Sequence, residues 1–191
     1  GYCFECNRLL RDALVAMGFH AWLALGRVVL HPAADAAGAP LRARTHAVVL
    51  ASFAAGDTEG AGDRDCWLAD AGFGGPNPRT PIRLGPADSA GPAGPAGAPA
   101  PPAARWDASA DPAHGWRIRD HHAEPQPLDL YTVEPRAAHP ADLALGNHWT
   151  SAHPESSLTG RPIIVRHVAG GRVSLDGDRL VDRTGARPIE R

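Results

Sequence analysis

Three side chains in this sequence have the types that nucleophilic catalysis requires. Cys3 opens an amphipathic run, His46 opens an apolar run and Asp70 closes another. A cysteine at a helix N-terminus is favoured as the nucleophilic thiolate by free backbone N–H groups and the helix dipole. A histidine can take the thiol proton, and a carboxylate can orient the imidazole. Buried structural cysteine is nevertheless the commoner use of the residue, so its type alone leaves the role of Cys3 open.

A predicted helix over residues 3–17, CFECNRLLRDALVAM, positions Cys3. Apolar side chains recur at 6, 9, 10, 13, 14 and 17, the spacing of one buried helical face. Gly18 follows where a helix C′ residue belongs. Cys3 is therefore expected at the helix N-terminus, with Cys6 on the buried apolar face.

Two short apolar runs, 46–53 and 66–70, are predicted to pair as an antiparallel hairpin and so to position the other two side chains. The connecting loop would be the Gly/Asp-rich segment 54–65. A register that puts all six side chains on one face has three opposed pairs: His46–Asp70, Val48–Leu68 and Leu50–Cys66. Directly opposed residues are close enough for a carboxylate to hold an imidazole. The alternative is that His46 and Asp70 merely cap strand ends.

A glycine-rich turn, DAGFGG at 70–75, leaves the second run. Its backbone N–H groups could approach a phosphate or carbonyl oxygen closely. An ordinary loop would have the same composition, and neither a Walker loop nor a GxGxxG turn opening a helix is present.

The rest of the chain is predicted to be mostly β-structure. A further strand is expected at 21–30, and short strands are expected at 116–119, 128–133, 162–168 and 172–181, with GGR and GDR turns between them. Residues 86–104 form a Pro/Gly/Ala tract with almost nothing to bury, which favours a tolerated loop or linker.

Metal binding is a competing use for the cysteines and histidines. Cys3 and Cys6 form a C-x-x-C pair, and His121 and His122 are adjacent. No second C-x-x-C and no H-x3–5-H supplies further ligands at zinc spacing. The sequence therefore predicts no metal.

Composition excludes several classes of protein. The 191 residues are 43% hydrophobic with a net charge of −2, which favours neither nucleic-acid nor membrane-surface binding. No apolar run is long enough to span a bilayer, and no export leader is evident. Three cysteines fit a reducing compartment, so a cytoplasmic location is expected. Because the chain starts at Gly1 in mid-motif and ends at RPIER, we expect a fragment of a longer protein.

Four segments together resemble the arylamine N-acetyltransferase family. They are GYCFECN (1–7), THAVVL (45–50), WLADAGFGG (67–75) and DLALGNHWTSAHPESSLTGRPIIV (142–165). Cys6 stands where the family often has Gln, and Ala71 stands where Val is usual. Neither difference removes a catalytic group.

The resemblance implies an α+β fold with a cysteine-protease-like core, in which a helix carrying the nucleophile packs on an antiparallel β-barrel-like domain. Residues 1–20 would end a helical domain, and residues 21–135 would form the β-rich domain with its insertion at about 86–104. Residues 136–191 would start a truncated α/β lid domain.

The resemblance also implies a function: transfer of an acetyl group from acetyl-CoA to an arylamine, arylhydrazine or arylhydroxylamine. Cys3 would be the nucleophile of a ping-pong reaction, His46 its base and Asp70 the orienting carboxylate. Acetyl-CoA would be a substrate, with no permanently bound cofactor. Two alternatives stay open: an amide synthase of the same fold in polyketide release, and a catalytically inactive truncated relative. The acceptor and the oligomeric state are not predicted.

Further residues are implied to contact the substrates. CoA and its acetyl group would lie near Thr45, Gly72, Phe73, Gly74 and Gly75, and the aromatic acceptor would lie near Val28 and Phe73. For Val28 and Phe73, plain core packing is the alternative.

Overall fold

The computed structural model of the chain describes residues 1–32, 42–52, 66–85, 105–123, 126–168, 171–185 and 188–190. The predicted hairpin loop at 54–65 and the Pro/Gly/Ala tract at 86–104 lie outside these residues.

The first element is helix α1, Cys3–Ala16, which confirms the predicted helix to within one residue. Its C-terminus is closed at Gly18, which has a φ of +93°. Gly18 N–H donates to Val15 O over 3.0 Å, and Phe19 N–H donates to Leu14 O over 3.0 Å. Glycine is the residue that adopts this left-handed conformation without a steric penalty, so the helix ends where the sequence predicts.

Seven strands follow and form one antiparallel sheet: β1 His20–Pro32, β2 His46–Ser52, β3 Cys66–Ala69, β4 Ile82–Leu84, β5 Trp106–Asp111, β6 Gly115–Asp120 and β7 Leu128–Val133. Their order in the sheet is β4–β3–β2–β1–β7–β6–β5. The edge strands β4 and β5 also contact each other, so the sheet curves towards a closed barrel. The predicted fold class, α+β with a helix on an antiparallel barrel-like sheet, is confirmed.

The predicted strands at 21–30, 46–53, 66–70, 116–119 and 128–133 all correspond to strands of this sheet. Two strands of this sheet were not predicted. β4 has three residues, too few for an alternating pattern, and β5, WDASAD, alternates but has only one large apolar side chain, Trp106.

Strand β2 lies near the middle of the sheet and is buried along its whole length. The barrel core contains Val48, Leu50, Leu68, Ile118, Leu130 and Val133. Ala47 packs instead with Cys3 and Phe4 of α1. Side chains alternate along a strand, so β2 has the barrel core on one face and α1 on the other. This double cover fits its continuous apolar sequence.

The prediction of the buried face of α1 is wrong. Leu9 is 72% exposed and Met17 is 64% exposed, whereas Cys3, Phe4 and Asn7 are the buried residues of the helix. The hydrophobic pattern predicted the face that contains Leu9 and Met17, because the face that is buried contains the polar residue Asn7. Its burial costs little here, since its side-chain amide is fully hydrogen bonded, as described below.

A second helix, α2 at Pro140–Ala152, packs beside α1. His139 Nδ1 accepts a hydrogen bond from Ala141 N–H over 3.2 Å at its N-terminus. A Cβ on Gly146 would lie only 3.0 Å from the Phe4 ring and from Arg44 O. Glycine at this position therefore permits the close approach of α2 to α1 and to the segment before β2.

The chain ends in a second antiparallel sheet: β8 Ile163–Val168, β9 Gly171–Asp176, β10 Arg179–Asp182 and β11 Ile189–Glu190. The predicted strand at 162–168 is confirmed as β8. The predicted single strand at 172–181 is wrong, because β9 and β10 form a hairpin that turns at Gly177, whose φ is +64°. The predicted GDR turn therefore lies within that segment.

The two helices within the described stretches have 14 and 13 residues, and neither is long and apolar enough to cross a membrane. The division into domains at residues 20 and 135 stays a prediction.

Candidate active site

Cys3 is the first residue of α1 and is buried there. The preceding Tyr2 is extended and places no side-chain cap on the helix. The Tyr2 hydroxyl instead donates to Asn147 of α2. The Cys3 Sγ atom lies 4.0 Å from Thr45 O, at the start of β2. The nucleophile candidate therefore sits where both helices meet the strand that begins at His46.

His46 and Asp70 are in direct contact, with 2.7 Å between Nε2 and Oδ2. The register that predicted this contact is nevertheless wrong. Leu50 pairs with Leu68, not with Cys66, so β3 is shifted by two residues along β2. A shift of two keeps the same side chains on the same face, and diagonal neighbours remain within reach of long side chains. Asp70 lies just beyond β3 and reaches His46 diagonally.

The second ring nitrogen of His46 is left for the thiol. Asp70 is hydrogen bonded to Nε2, so Nδ1 is the ring nitrogen that a thiol could use, and Cys3 lies close enough to the imidazole to help raise its pKa. The thiol, the imidazole and the carboxylate thus lie near one another in this order, as a nucleophile, a base and an orienting group require.

The charges of His46 and Asp70 stabilise each other. Burial by itself lowers the pKa of His46, but the Asp70 carboxylate and Cys3 outweigh it and raise that pKa from 6.5 to about 10. Burial by itself raises the pKa of the Asp70 carboxyl group. His46, Asn7 and the Gly72 N–H outweigh burial and lower this pKa below its usual value. At neutral pH the pair is therefore an imidazolium and a carboxylate.

Asn7 joins α1 to the Asp70 carboxylate by a hydrogen bond. Its Nδ2 donates to Asp70 Oδ1 over 2.9 Å and to Ala47 O over 2.7 Å. Its Oδ1 accepts from Ala71 N–H over 2.8 Å. Gly72 N–H donates to the same Asp70 Oδ1 over 2.9 Å. No role for Asn7 was predicted from the sequence, although the i, i+4 spacing from Cys3 places both residues on one helical face.

Gly72 allows the loop after β3 to touch the start of α1. A Cβ on Gly72 would lie 2.4 Å from Cys3 Cα and 2.9 Å from Cys3 N. No side chain fits in that space. The loop is held in shape by Asn77, whose Nδ2 donates to Asp70 O over 2.8 Å and whose Oδ1 accepts from Phe73 N–H over 2.9 Å.

Two aromatic rings confine the imidazole. The ring centroids of His46 and Phe73 are 5.0 Å apart, and those of His46 and Tyr131 are 4.8 Å apart. Burial, and then the nearby Asp70 charge, raise the pKa of Tyr131 well above its usual value. The hydroxyl of Tyr131 has no hydrogen bond of normal geometry within the described residues. The contact of Tyr131 with His46 was not predicted, because an aromatic residue in the run LDLYTV is typical of a core strand.

The Cys3 side of the imidazole opens onto a cavity of about 510 Å³, a size typical of small-molecule sites. The predicted residues Thr45, Gly72, Phe73 and Val28 lie on its wall. The cavity is further lined by α2 and by the segment that follows it, including Trp149, Thr150, Ser156 and Leu158. Whether Val28 and Phe73 hold an aromatic acceptor stays a prediction.

A bulge in β1 shapes the same wall. The pairing of β1 with β7 shifts between Val28 and His31, and Leu30 within the bulge has a φ of +47°. This left-handed conformation is uncommon for a residue with a side chain. It turns Leu30 onto the cavity wall, as bulges beside binding sites commonly do.

The other two predicted glycines, Gly74 and Gly75, do not line this cavity. Gly74 O accepts a hydrogen bond from His167 Nε2 of β8 over 3.2 Å. Gly74 therefore contacts the second sheet, and the contact of both glycines with CoA stays a prediction.

Metal chemistry has no geometric support within the described residues, and no disulfide is formed among them. Cys3, Cys6 and Cys66 are all free thiols. No group of three His, Cys, Asp or Glu side chains in the described stretches is arranged to hold a metal ion.

Comparisons with known proteins relate the chain to one family. A profile described as N-acetyltransferase matches residues 1–190. The arylamine N-acetyltransferase of Mycolicibacterium smegmatis is 33% identical over 194 residues, covering 97% of this chain and 60% of the relative. The arylamine N-acetyltransferase / N-hydroxyarylamine O-acetyltransferase of Salmonella typhimurium is 30% identical over 177 residues, covering 92% of this chain and 54% of the relative.

The solved structure of Mycobacterium marinum arylamine N-acetyltransferase in complex with CoA superposes with a TM-score of 0.75 at 26% identity. The match covers 99% of this chain and 63% of that one. This chain thus spans 60% and 54% of the lengths of the two curated relatives.

Proposed function

Because the chain belongs to the N-acetyltransferase family, we propose that it is an arylamine N-acetyltransferase and carries the catalytic centre for acetyl transfer through a Cys3 thioester. The donor is acetyl-CoA, and the acceptor is the nitrogen of an arylamine, an arylhydrazine or an arylhydroxylamine. The observation that carries the proposal is the His46–Asp70 hydrogen bond close to buried Cys3, beside a cavity of small-molecule size that Cys3 and His46 both line.

In the first half-reaction the sulfur of Cys3 attacks the carbonyl carbon of the acetyl thioester. The thiol proton resides on His46 Nδ1, and the bond from the acetyl carbon to the CoA sulfur breaks. The departing CoA thiolate takes the proton from His46. The products are acetyl-Cys3 and free CoA, with His46 neutral.

In the second half-reaction the acceptor nitrogen attacks the acetyl carbon on Cys3. Neutral His46 Nδ1 accepts the proton that this nitrogen loses, and Cys3 leaves as the thiolate. Asp70 keeps the proton on Nε2 and stabilises the imidazolium each time it forms. Splitting the transfer into two steps through one cavity gives ping-pong kinetics.

Thr45, Gly72 and Phe73 are proposed to border the acetyl group, since they share the cavity wall with Cys3. Gly74 and Gly75 are proposed to guide the rest of the donor. No permanently bound cofactor is proposed. The cytoplasm is the proposed compartment on the ground of the three free cysteines.

Mass spectrometry of the intact protein after incubation with acetyl-CoA tests the proposal. We expect one added acetyl group, located on the Cys3 peptide and released by an added arylamine. Cys6→Ser is the matched control, because Cys6 lies one turn further along α1 and its loss should leave the adduct unchanged. No adduct on Cys3 of a folded sample would refute the proposal.

A further inference from the structure

The first turn of α1 carries a second thiol that acetyl transfer does not use. Cys3 is the first residue of the helix and Cys6 is the fourth. Cys3 is buried, Cys6 is half-buried, and both are free thiols. Two cysteines separated by two residues at a helix N-terminus form the arrangement of a redox-active dithiol.

Helical geometry brings these two cysteines within the range of a disulfide. Residues three apart are offset by about 4.5 Å along the helix axis and by about 60° around it, so their Cα atoms lie about 5 Å apart. A disulfide joins Cα atoms that are about 4.4–6.8 Å apart. The Cβ atoms of a regular helix are about 5–6 Å apart at this spacing, so the turn must tighten by about 1–2 Å for the bond to form.

The first turn is the part of α1 that tightens at least cost. The N–H groups of Cys3 and Phe4 belong to the first turn, where no intrahelical acceptor exists. Tyr2, which precedes them, supplies no side-chain cap. Moving Cys3 towards Cys6 therefore breaks no helical hydrogen bond of these two N–H groups.

The Cys6 sulfur points back towards the start of the helix. A Cβ on Gly1 would lie 3.0 Å from Cys6 Sγ, so the thiol covers the turn that precedes its own Cα. Side chains of an α-helix generally point in this direction. Cys3 lies on that preceding turn, and its own Sγ is 4.0 Å from Thr45 O. Forming the disulfide therefore requires rotation about the Cα–Cβ bond of Cys3, which takes its sulfur away from His46.

Cys66, the third cysteine of the sequence, cannot reach Cys3. Cys66 packs in the barrel core with Val48, whereas Cys3 packs with Ala47 on the opposite face of β2. Burial also raises the pKa of Cys66 to about 11, which keeps it a thiol at neutral pH. Cys6 is therefore the thiol that is placed to react with Cys3.

Cys3 has the surroundings of a cysteine that peroxides oxidise. His46, which is positively charged at neutral pH, lies beside it, and a cationic neighbour and a helix N-terminus both favour the thiolate. The cavity of about 510 Å³ gives small molecules access to the sulfur. Thiolate character and access decide which cysteine a peroxide attacks, and a sulfenic acid that no second thiol captures is oxidised irreversibly to a sulfinic acid.

We propose that Cys6 is the resolving cysteine of a reversible redox switch. A peroxide oxidises Cys3, and a disulfide between Cys3 and Cys6 then holds the chain in an inactive form that a dithiol can restore. Formation of the disulfide is independent of the acetyl-transfer function. Only the loss of acetylation on oxidation rests on that proposed function.

The oxidation proceeds in two steps, with hydrogen peroxide as the oxidant. In the first step the Cys3 thiolate attacks one peroxide oxygen, the S–O bond forms and the O–O bond breaks. The departing hydroxide takes the proton from His46 and leaves as water, so Cys3 becomes a sulfenic acid. In the second step the Cys6 sulfur attacks Cys3 Sγ, the S–S bond forms, and the S–O bond breaks. The hydroxide that leaves takes the proton of the Cys6 thiol, so two thiols and one peroxide give one disulfide and two waters.

Peptide mapping after a brief exposure to hydrogen peroxide tests for the disulfide. Trypsin releases both cysteines in the peptide GYCFECNR (1–8), because no Lys or Arg lies between them. After alkylation of free thiols, we expect this peptide to be unalkylated and lighter by two hydrogen atoms than its reduced form. Dithiothreitol should restore alkylation of both cysteines. A sulfinic acid on Cys3 beside an alkylated Cys6 would overturn the proposal.

Recovery of acetylation tests what Cys6 does for Cys3. Serine is close to cysteine in size but forms no disulfide, so Cys3 in Cys6→Ser should proceed to the sulfinic acid. After the same exposure and treatment with dithiothreitol, we expect Cys6→Ser to recover at least about fivefold less acetylation of Cys3 than the unmutated protein. Before exposure the two rates should agree within about twofold. Cys66→Ala is the matched control and should recover like the unmutated protein.

Equal recovery in Cys6→Ser and in the unmutated protein would overturn the role of Cys6. Circular dichroism checks folding, and Cys6→Ala, which removes the thiol without adding a hydroxyl group, should give the same result as Cys6→Ser. Incubation with acetyl-CoA before the peroxide should protect Cys3 in all variants, because the thioester has no free thiolate. Failure of acetyl-CoA to acetylate Cys3 in the untreated protein would instead refute the acetyl-transfer function, and the mass of peptide 1–8 would still decide whether the disulfide forms.

Discussion

Asn7 of α1 is hydrogen bonded to Asp70, with 2.9 Å between Nδ2 and Oδ1. The helix that presents Cys3 is therefore tied directly to the carboxylate that holds His46. Asn7 lies four positions after Cys3, so a single helical turn fixes the nucleophile relative to its orienting group.

Replacing Asn7 should cost stability. Asn7→Ala removes the amide that joins α1, β2 and the loop after β3 and leaves Ala47 O and Ala71 N–H without their partner. We expect the free energy of unfolding to fall by about 1–3 kcal/mol. Urea denaturation measures this. Arg8→Ala, exposed at the next position of α1, is the control and should change stability by less than about 0.5 kcal/mol; an equal loss in both variants would contradict the role of Asn7.

Asp70→Asn should slow acetylation of Cys3 by on the order of 10²-fold or more. The substitution nearly preserves shape, but it removes the charge that stabilises the imidazolium and presents an NH₂ group to Nε2–H, which needs an acceptor. Thioester formation measured by rapid-quench mass spectrometry checks this, with circular dichroism as the control for folding. Asp178→Asn, in the exposed turn between β9 and β10, should be silent. A rate for Asp70→Asn within a few-fold of the unmutated protein would show that the triad is wrongly assigned.

Stability should depend on pH through the His46–Asp70 pair. His46 has a pKa of about 10 in the folded chain against an ordinary value of 6.5, so its contribution is complete below about pH 6.5 and is lost as pH rises towards 10. Asp70 has a lowered pKa, so its contribution is present above its ordinary pKa and is lost as pH falls through the folded value.

Thermal unfolding of the unmutated protein and of His46→Gln from pH 4 to pH 10 measures this dependence. The difference in Tm between them should be largest at mildly acidic pH and should shrink steadily above about pH 6.5. A difference that stays constant between pH 6.5 and pH 10 would mean that His46 is not protonated in the folded chain.

Gly72→Ala should impair both acetylation and folding stability. The added methyl group would lie 2.4 Å from Cys3 Cα, so either the loop or the helix start must shift, which displaces Cys3 from His46. We expect acetylation to fall by at least about 10²-fold, the typical effect of a misplacement of about 1 Å. Gly160→Ala is the matched control, since a Cβ there meets nothing within 4 Å. Wild-type acetylation in Gly72→Ala would contradict the close approach of loop and helix.

Alkylation by iodoacetamide should distinguish the cysteines. Cys3 borders an open cavity, whereas burial raises the pKa of Cys66 to about 11 and keeps it a thiol at neutral pH. Cys3 should therefore react faster than Cys66 and faster than half-buried Cys6, as measured by peptide mapping over time. Prior acetylation should protect Cys3 alone. Equal rates for Cys3 and Cys66 in the folded protein would argue against the assignment.

The elements of the site were predictable because each has a local signal. The amphipathic run after Cys3 and the glycine at 18 defined α1, and short apolar runs defined β2 and β3. The three side chains of the candidate triad were selected by chemical type at the ends of these elements. Side-chain alternation then predicted that His46 and Asp70 share a face, which is true in either of two registers differing by two residues.

What the sequence by itself determined was therefore which residues could react and which segments would hold them, because residue type and periodicity are local properties. Only the tertiary structure decided the register of β3 on β2, the burial of Asn7 in place of Leu9, and the enclosure of His46 by Tyr131. These features depend on packing and on charges between residues far apart in the chain, and no local pattern encodes them.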